Sequence, residues 1–260
     1  VTELRSRRLG IIGAGAIARV VADRVVTGAV PGMTLLGFHT RTAVEGLPGP
    51  RLASLEEILD ASVVVEAAGR EAVQQYAEDV LGAGSDLVCC SVGALSDSDL
   101  RGRLIGAAER AGSRLVVPSG AVGGLDVLRA AVEAGLDEVM VEQRKPPRAL
   151  LPEPEATSLR TARVLFEGTV EEVVRRYPRT TNVAAAVALA GLGFEATTAR
   201  VVVDPALAAN EVTLTARGAF GELSLRLANV ASANPQTSTI VAYSVVAALR
   251  RLSETLVVPG

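Results

Sequence analysis

The apolar positions of this chain fall into two kinds of stretch, short unbroken runs and longer segments at helical spacing. Leu9-Gly10-Ile11-Ile12 is a strand-like run that breaks at Gly13-Ala14-Gly15 and resumes at helical spacing through Val20, Val21 and Val25. Met33 to Phe38 predicts a second strand. Ser54 to Leu59 predicts a short helix, with Ser54 at the N-cap and acids in the first turn. Ala61 to Gly69 reads as a buried parallel strand, Glu71 to Leu81 as a helix, Asp86 to Ala94 as a strand, Leu100 to Ala111 as a helix and Arg114 to Pro118 as a strand. Such alternation predicts an α/β architecture built on a parallel sheet wound on both faces.

From Glu138 the pattern changes. Val139 to Lys145 predicts a strand stopped by Pro146-Pro147, and the polar stretch from Arg148 to Thr161 a loop. Then follow a strand (Ala162 to Glu167), a helix (Val170 to Tyr177), a small-residue helix (Asn182 to Leu192) and a strand (Arg200 to Val203). Glu211 to Arg217 and Gly221 to Leu227 alternate around Gly218-Ala219-Phe220, which predicts a hairpin. Thr237 to Leu252 has helical spacing. The expected organisation is a dinucleotide-binding domain over 1–118, an α+β substrate and dimerisation domain over 119–235, and a C-terminal helix over 236–260 that packs back on the first domain.

The first break carries the chemistry. Gly13-x-Gly15-x-x-Ala18, with a strand before it and a helix after, is the phosphate turn of a Rossmann-type fold. Gly13 would allow the sharp turn, Gly15 would let the backbone approach a pyrophosphate, and Ala18 would let helix and strand pack closely. Ala16, Ile17 and Ala18 would then offer backbone N–H groups at the positive end of the helix dipole. Ligands of such sheets lie outside the carboxyl ends of the strands. The small-residue turns Ala68-Gly69, Ser91-Val92-Gly93 and the one around Ala121 are therefore expected to border the cofactor.

At the end of the second strand an acid would suit the ribose of NAD, and an arginine the 2′-phosphate of NADP. The chain offers Thr40, Arg41 and Thr42 and no acid, so NADP is the expected cofactor, with NAD the alternative if Arg41 is only a surface charge. His39, the single histidine, falls at the adenosine end and is not expected to be catalytic.

Composition narrows the function classes. With 49% hydrophobic and 21% charged residues over 260 positions, the chain has ample material for a core. A net charge of −3 disfavours nucleic acid or an anionic membrane as the main partner. Cys89 and Cys90, the two cysteines, would point to opposite faces of one strand, so they read as small buried residues and not as a bridge or metal ligands. Arg5 to Arg8 is expected as a solvated flank, and no apolar run is long enough to span a bilayer. A cytoplasmic enzyme is the expectation.

Several stretches together resemble the L-aspartate dehydrogenase family over nearly the whole chain. They are Gly10 to Ala18, Ser91 to Leu95, Pro118 to Asp126, Arg144-Lys145-Pro146-Pro147, Phe166-Glu167-Gly168, Asn182 to Gly193 and Asn234 to Ser238. The resemblance implies a dinucleotide domain, an α+β domain through which the protein forms a homodimer, and NAD(P)-dependent oxidative deamination of L-aspartate through iminosuccinate to oxaloacetate and ammonia. Three positions depart from the family. Arg41 stands where an acid is usual, and Thr180 replaces the first of two asparagines, Asn182 being the second. Val212 stands where the family has its proposed acid/base histidine.

A valine cannot move a proton, and such help is worth about 10²–10⁴-fold. Lys145, Glu211 and Tyr177 are the candidates to replace it, with Lys145 and Asn182 the expected catalytic pair. Glu211 should face away from Val212, and Tyr177 reads as packing. Asn182 and Asn234 would hold substrate or the cofactor carboxamide, or else cap helices. The alternatives are an NADPH-dependent imine reductase acting on another substrate and a non-catalytic dinucleotide-binding homologue.

Overall fold

The structure, a computed structural model, describes residues 6–178, 180–231 and 238–258. In chain order the elements are β1 (Arg7–Ile12), α1 (Ala16–Val26), β2 (Met33–His39), β3 (Arg51–Leu52), α2 (Leu55–Leu59), β4 (Val63–Glu66), α3 (Arg70–Gly82), β5 (Asp86–Cys89), α4 (Ser98–Ala111) and β6 (Leu115–Val116). There follow α5 (Leu125–Ala134), β7 (Leu136–Lys145), α6 (Glu155–Ser158), β8 (Arg163–Thr169), α7 (Val170–Arg176), α8 (Asn182–Ala190), β9 (Thr198–Val203), β10 (Glu211–Gly218), β11 (Gly221–Ala228) and α9 (Thr239–Arg251). The chain divides into two compact units, one of residues 1–118 with 242–258, the other centred on 119–241.

The first unit is built on a parallel sheet of order β3-β2-β1-β4-β5-β6. That is the doubly wound order, with its switch point between β1 and β4. All residues of β4 and β5 are buried, as expected of strands covered on both faces. Leu9, Ile11, Val21 and Val25 share one apolar cluster with Val245, Val246, Ala248 and Leu249 of α9. The last helix therefore closes the core of the first unit.

The second unit holds a sheet of order β11-β10-β7-β9-β8, in which only β7 and β9 run parallel. On β7 the buried side chains alternate (Val139, Val141, Gln143, Lys145), and on β10 they are Val212, Leu214 and Ala216 beside Glu211. Helix α5 packs on both strands and on α8, and α7 packs on α8, β8 and β9. The hairpin turns through Ala219-Phe220, with Gly218 paired to Gly221. A Cβ at Gly218 would come within 2.2 Å of the Gly135 carbonyl oxygen, so that strand end must be glycine.

Several expectations need correction. Arg7 and Arg8 are not a loose flank but begin β1, and Arg7 donates to the buried Asp86 at 2.7 Å. The strand from Asp86 stops at Cys89, because Val92–Ser96 winds into a 3₁₀ turn. Ser54 occupies the N-cap position of α2 without making a side-chain capping bond. The stretch after Pro146 holds a 3₁₀ turn at Pro147–Ala149 and the single-turn α6. Helix α5 is an addition to the expected elements. Cys89 and Cys90 are buried free thiols. No helix among the described residues is long and apolar enough to cross a membrane.

Candidate functional site

The two glycines of the first turn serve different ends. Gly13 has φ +108°, and a Cβ there would lie 2.7 Å from the Ala67 carbonyl oxygen, so local geometry demands glycine. Gly15 has an ordinary φ of −75°, and a Cβ would meet nothing within 4 Å. The fold does not require glycine at that position; the open space beside it is where a pyrophosphate would sit. Helix α1 begins at Ala16 with no side-chain cap, which leaves the amides of Ala16, Ile17 and Ala18 for an anion. Ala18 is fully buried against the sheet.

In front of this turn lies a cleft of about 320 Å³. Its walls are Ile12 to Gly15, the segment His39 to Thr42, Ala67 and Ala68, and Gln75 and Tyr76 of α3. The His39 ring stands edge-on to Tyr76 with centroids 5.2 Å apart, and its Nδ1 is buried with no partner in the structure. Arg41 is exposed at the rim. The Thr40 hydroxyl donates to the Thr42 carbonyl at 2.8 Å and accepts from Arg51 Nε at 3.2 Å, while the Arg51 guanidinium also reaches the Thr40 carbonyl at 3.1 Å. Open space at Gly15, uncapped amides, an orphaned ring nitrogen and a cationic rim together fit a dinucleotide.

Of the expected cofactor residues, Gly13, Gly15, Thr40, Arg41, Thr42 and Ala68 line this cleft. Ala16, Ile17 and Ala18 lead into α1, and Gly69 caps α3 with φ +118°. Ser91, Val92 and Gly93 are buried at the turn after β5 and do not line the cleft. Ala121 is buried in the second unit, and Asn234 lies outside the described residues.

Sequence reasoning missed Glu66. It ends β4 and is 1% exposed. Its Oε1 accepts the backbone N–H groups of Ala68 and Gly69, each at 2.8 Å, and the Ser91 hydroxyl at 2.9 Å; its Oε2 accepts the Ser91 N–H at 2.9 Å. Burial pushes its pKa up, and the four hydrogen bonds oppose that without cancelling it. A lone carboxylate closing an otherwise apolar run was the available signal.

In the second unit Val212 stands opposite Gln143, and Lys145 lies two residues further along the same buried face of β7. Lys145 is 6% exposed, and burial pulls its pKa from 10.5 to about 8. No described carboxylate is ion-paired with it. Gln143 Nε2 donates to the Thr180 carbonyl at 3.1 Å, tying β7 to the turn from which Asn182 starts α8. Glu211 faces away from Val212 and is ion-paired with Arg226, whose hydrogen bond holds its pKa below the usual carboxylate range. It is therefore a poor proton donor. Tyr177 packs edge-on against Phe166, with centroids 6.3 Å apart. Among the described residues no cluster of His, Cys, Asp and Glu is arranged to hold a metal ion.

Sheet order, glycine turn and cleft define a dinucleotide-binding protein of the Rossmann type. Residues 13–118 match the model for the NAD-binding domain of homoserine dehydrogenase, and residues 126–252 the model for the C-terminal part of aspartate dehydrogenase. The chain is 43% identical to L-aspartate dehydrogenase 2 of Bordetella pertussis, over 95% of this chain and 97% of that one. It is 37% identical to L-aspartate dehydrogenase of Methanocella arvoryzae, over 96% and 98%. The crystal structure of aspartate dehydrogenase from Thermotoga maritima superposes with a TM-score of 0.80 at 29% identity, covering 97% of this chain and 99% of that one. The chain belongs to the L-aspartate dehydrogenase family.

Proposed function

We propose that this protein interconverts L-aspartate with iminosuccinate, and through it with oxaloacetate and ammonia, with NADP as the preferred cofactor. The observation that carries the reaction is the end-to-end likeness to relatives named L-aspartate dehydrogenase. The cofactor preference rests on Arg41 at the cleft rim, with Arg51 adding a second guanidinium beside Thr40. A bound nicotinamide would exchange the hydride with the substrate carbon.

The chain's own residues supply binding and proton handling. At neutral pH Lys145 Nζ is charged, buried and ion-paired with no described carboxylate, so it attracts a carboxylate of the dicarboxylic substrate. The same ammonium can give a proton to a carbinolamine oxygen, the step for which the family uses its histidine. Asn182 adds an amide at the start of α8.

Val212 favours a second reading, an imine reductase. The side chain at this position is apolar and 2% exposed, and a preformed imine needs no carbinolamine chemistry. The test is NAD(P)H oxidation with oxaloacetate and ammonia by the wild type and by Val212→His. Turnover by the wild type supports aspartate dehydrogenation. Turnover by the variant alone replaces that reading with the imine reductase.

A further inference from the structure

We propose that Glu66, as the carboxylate anion, is a positioning residue for the dinucleotide, tying the turn after β4 to the turn after β5 and so fixing one wall of the cofactor cleft. The inference rests on the first unit's dinucleotide cleft and not on which substrate is turned over.

The donor set favours the anion, because every described partner of the carboxyl is a donor. Three of the four donors to Glu66 are backbone N–H groups, which cannot accept a proton back. Oε1 already receives three hydrogens, leaving it no lone pair for one of its own. Oε2 faces the Ser91 amide, with Cys89 Sγ at 3.9 Å.

The segment so held is part of the glycine turn's support. Ala67 and Ala68 line the cleft, and the Ala67 N–H donates to the Ile12 carbonyl at 2.9 Å. The Ala67 carbonyl is the group that leaves no room for a Cβ at Gly13. Movement of residues 67–69 would therefore displace the turn that carries Gly15. Across the strand Ser91 gives both its N–H and its hydroxyl to the same carboxylate. One buried side chain thus sets the spacing of two successive strand ends.

The titratable groups facing Glu66 are the Cys89 and Cys90 thiols of the neighbouring strand end, both pushed well up by burial and by the carboxylate itself. No described cation contributes to its ionisation. Acid that protonates Glu66 removes the charge that strengthens these four bonds.

The experiment is a fluorescence titration of the full-length protein with NADH, which lacks a titrating 2′-phosphate, from about pH 5 to pH 9, with the wild type, Glu66→Gln and Ser91→Ala. For the wild type the Kd should rise about tenfold or more towards acid. In Glu66→Gln, whose amide must oppose a donor N–H, binding should be weaker by about tenfold at neutral pH and lose that acid-dependent rise. In Ser91→Ala, stripped of one donor, the rise should begin at higher pH. A Glu66→Gln protein with wild-type Kd and pH profile, or one whose weaker binding keeps the wild-type pH profile, overturns the proposal. Should Glu66→Gln fail to fold, an unmoved profile in Ser91→Ala overturns it as well. Absence of binding of both NADH and NADPH to the wild type at every pH defeats the cofactor reading, and this proposal with it; where NADPH alone binds, the same three proteins are compared by their NADPH Kd.

Discussion

Val212 stands directly across the β7–β10 ladder from Gln143, on the buried face that ends in Lys145. Val212 carries no titratable proton, and two residues beyond Gln143 on the same face is a lysine whose pKa burial has brought to about 8. If Lys145 acts as the acid, the reductive rate should be flat below that value and fall above it, as Nζ loses its proton. Lys145→Met should lower kcat by about 10²–10⁴-fold and remove the alkaline limb, read from pH–rate profiles.

The same lysine makes a stability prediction of defined sign. Its folded pKa lies below the ordinary value of 10.5, so the unfolded chain binds the extra proton between about 8 and 10.5. Wild-type stability should therefore rise with pH across that window, by an amount on the order of 3 kcal/mol. Urea melts of Lys145→Met should lack the rise.

Gly13 and Gly15 should fail in opposite ways. Gly13→Ala puts a side chain at φ +108° against a backbone carbonyl, and should cost about 1–3 kcal/mol of stability. Gly15→Ala meets nothing in the free protein, so its Tm should stay put while NADH affinity drops about tenfold or more. Thermal melts beside cofactor titrations separate the two.

Arg41→Glu tests the cofactor preference. Loss of a charge-assisted contact and gain of a repulsive one should weaken NADPH by about ten- to hundredfold and NADH by far less. Equal losses for both would remove the 2′-phosphate reading.

Asp86 joins β5 to Arg7 of β1 and to Arg114, each at 2.7 Å. Burial raises its pKa, but the two guanidiniums outweigh that and leave it below the usual 3.8. The resulting stability is fully present above the unfolded value and is lost as pH falls through the folded one. Asp86→Asn should cost about 1–3 kcal/mol at neutral pH and flatten the acid side of the stability curve, measured by denaturant melts.

The first half of the fold was legible because fully buried parallel strands appear as unbroken apolar runs such as Val63-Val64-Val65. Helix α5 was not, although Leu128 and Ala131 keep helical spacing on its buried face, because the glycines that precede it mark that stretch as a turn. Arg7 reads as a flank because its partner, Asp86, is far along the chain. In the candidate site, the glycine turn announced itself by residue type and spacing. Glu66 and Arg51 did not: the lone carboxylate at the end of an apolar run marks Glu66 as unusual, but its bonds to Ser91 and those of Arg51 to Thr40 join residues that no local pattern brings together.

The contribution of α9 to the first unit's core bears on synthesis. While the ribosome is still adding residues 119–241, the surface formed by Leu9, Ile11, Val21 and Val25 lacks Val245 and Leu249 to cover it. The segment 119–241 is continuous and can complete itself in passing, whereas the nucleotide-binding unit begins first and finishes last. A nascent chain stalled before Val245 would present a greasy, half-shut sheet to chaperones, and only the emergence of α9 would seal it.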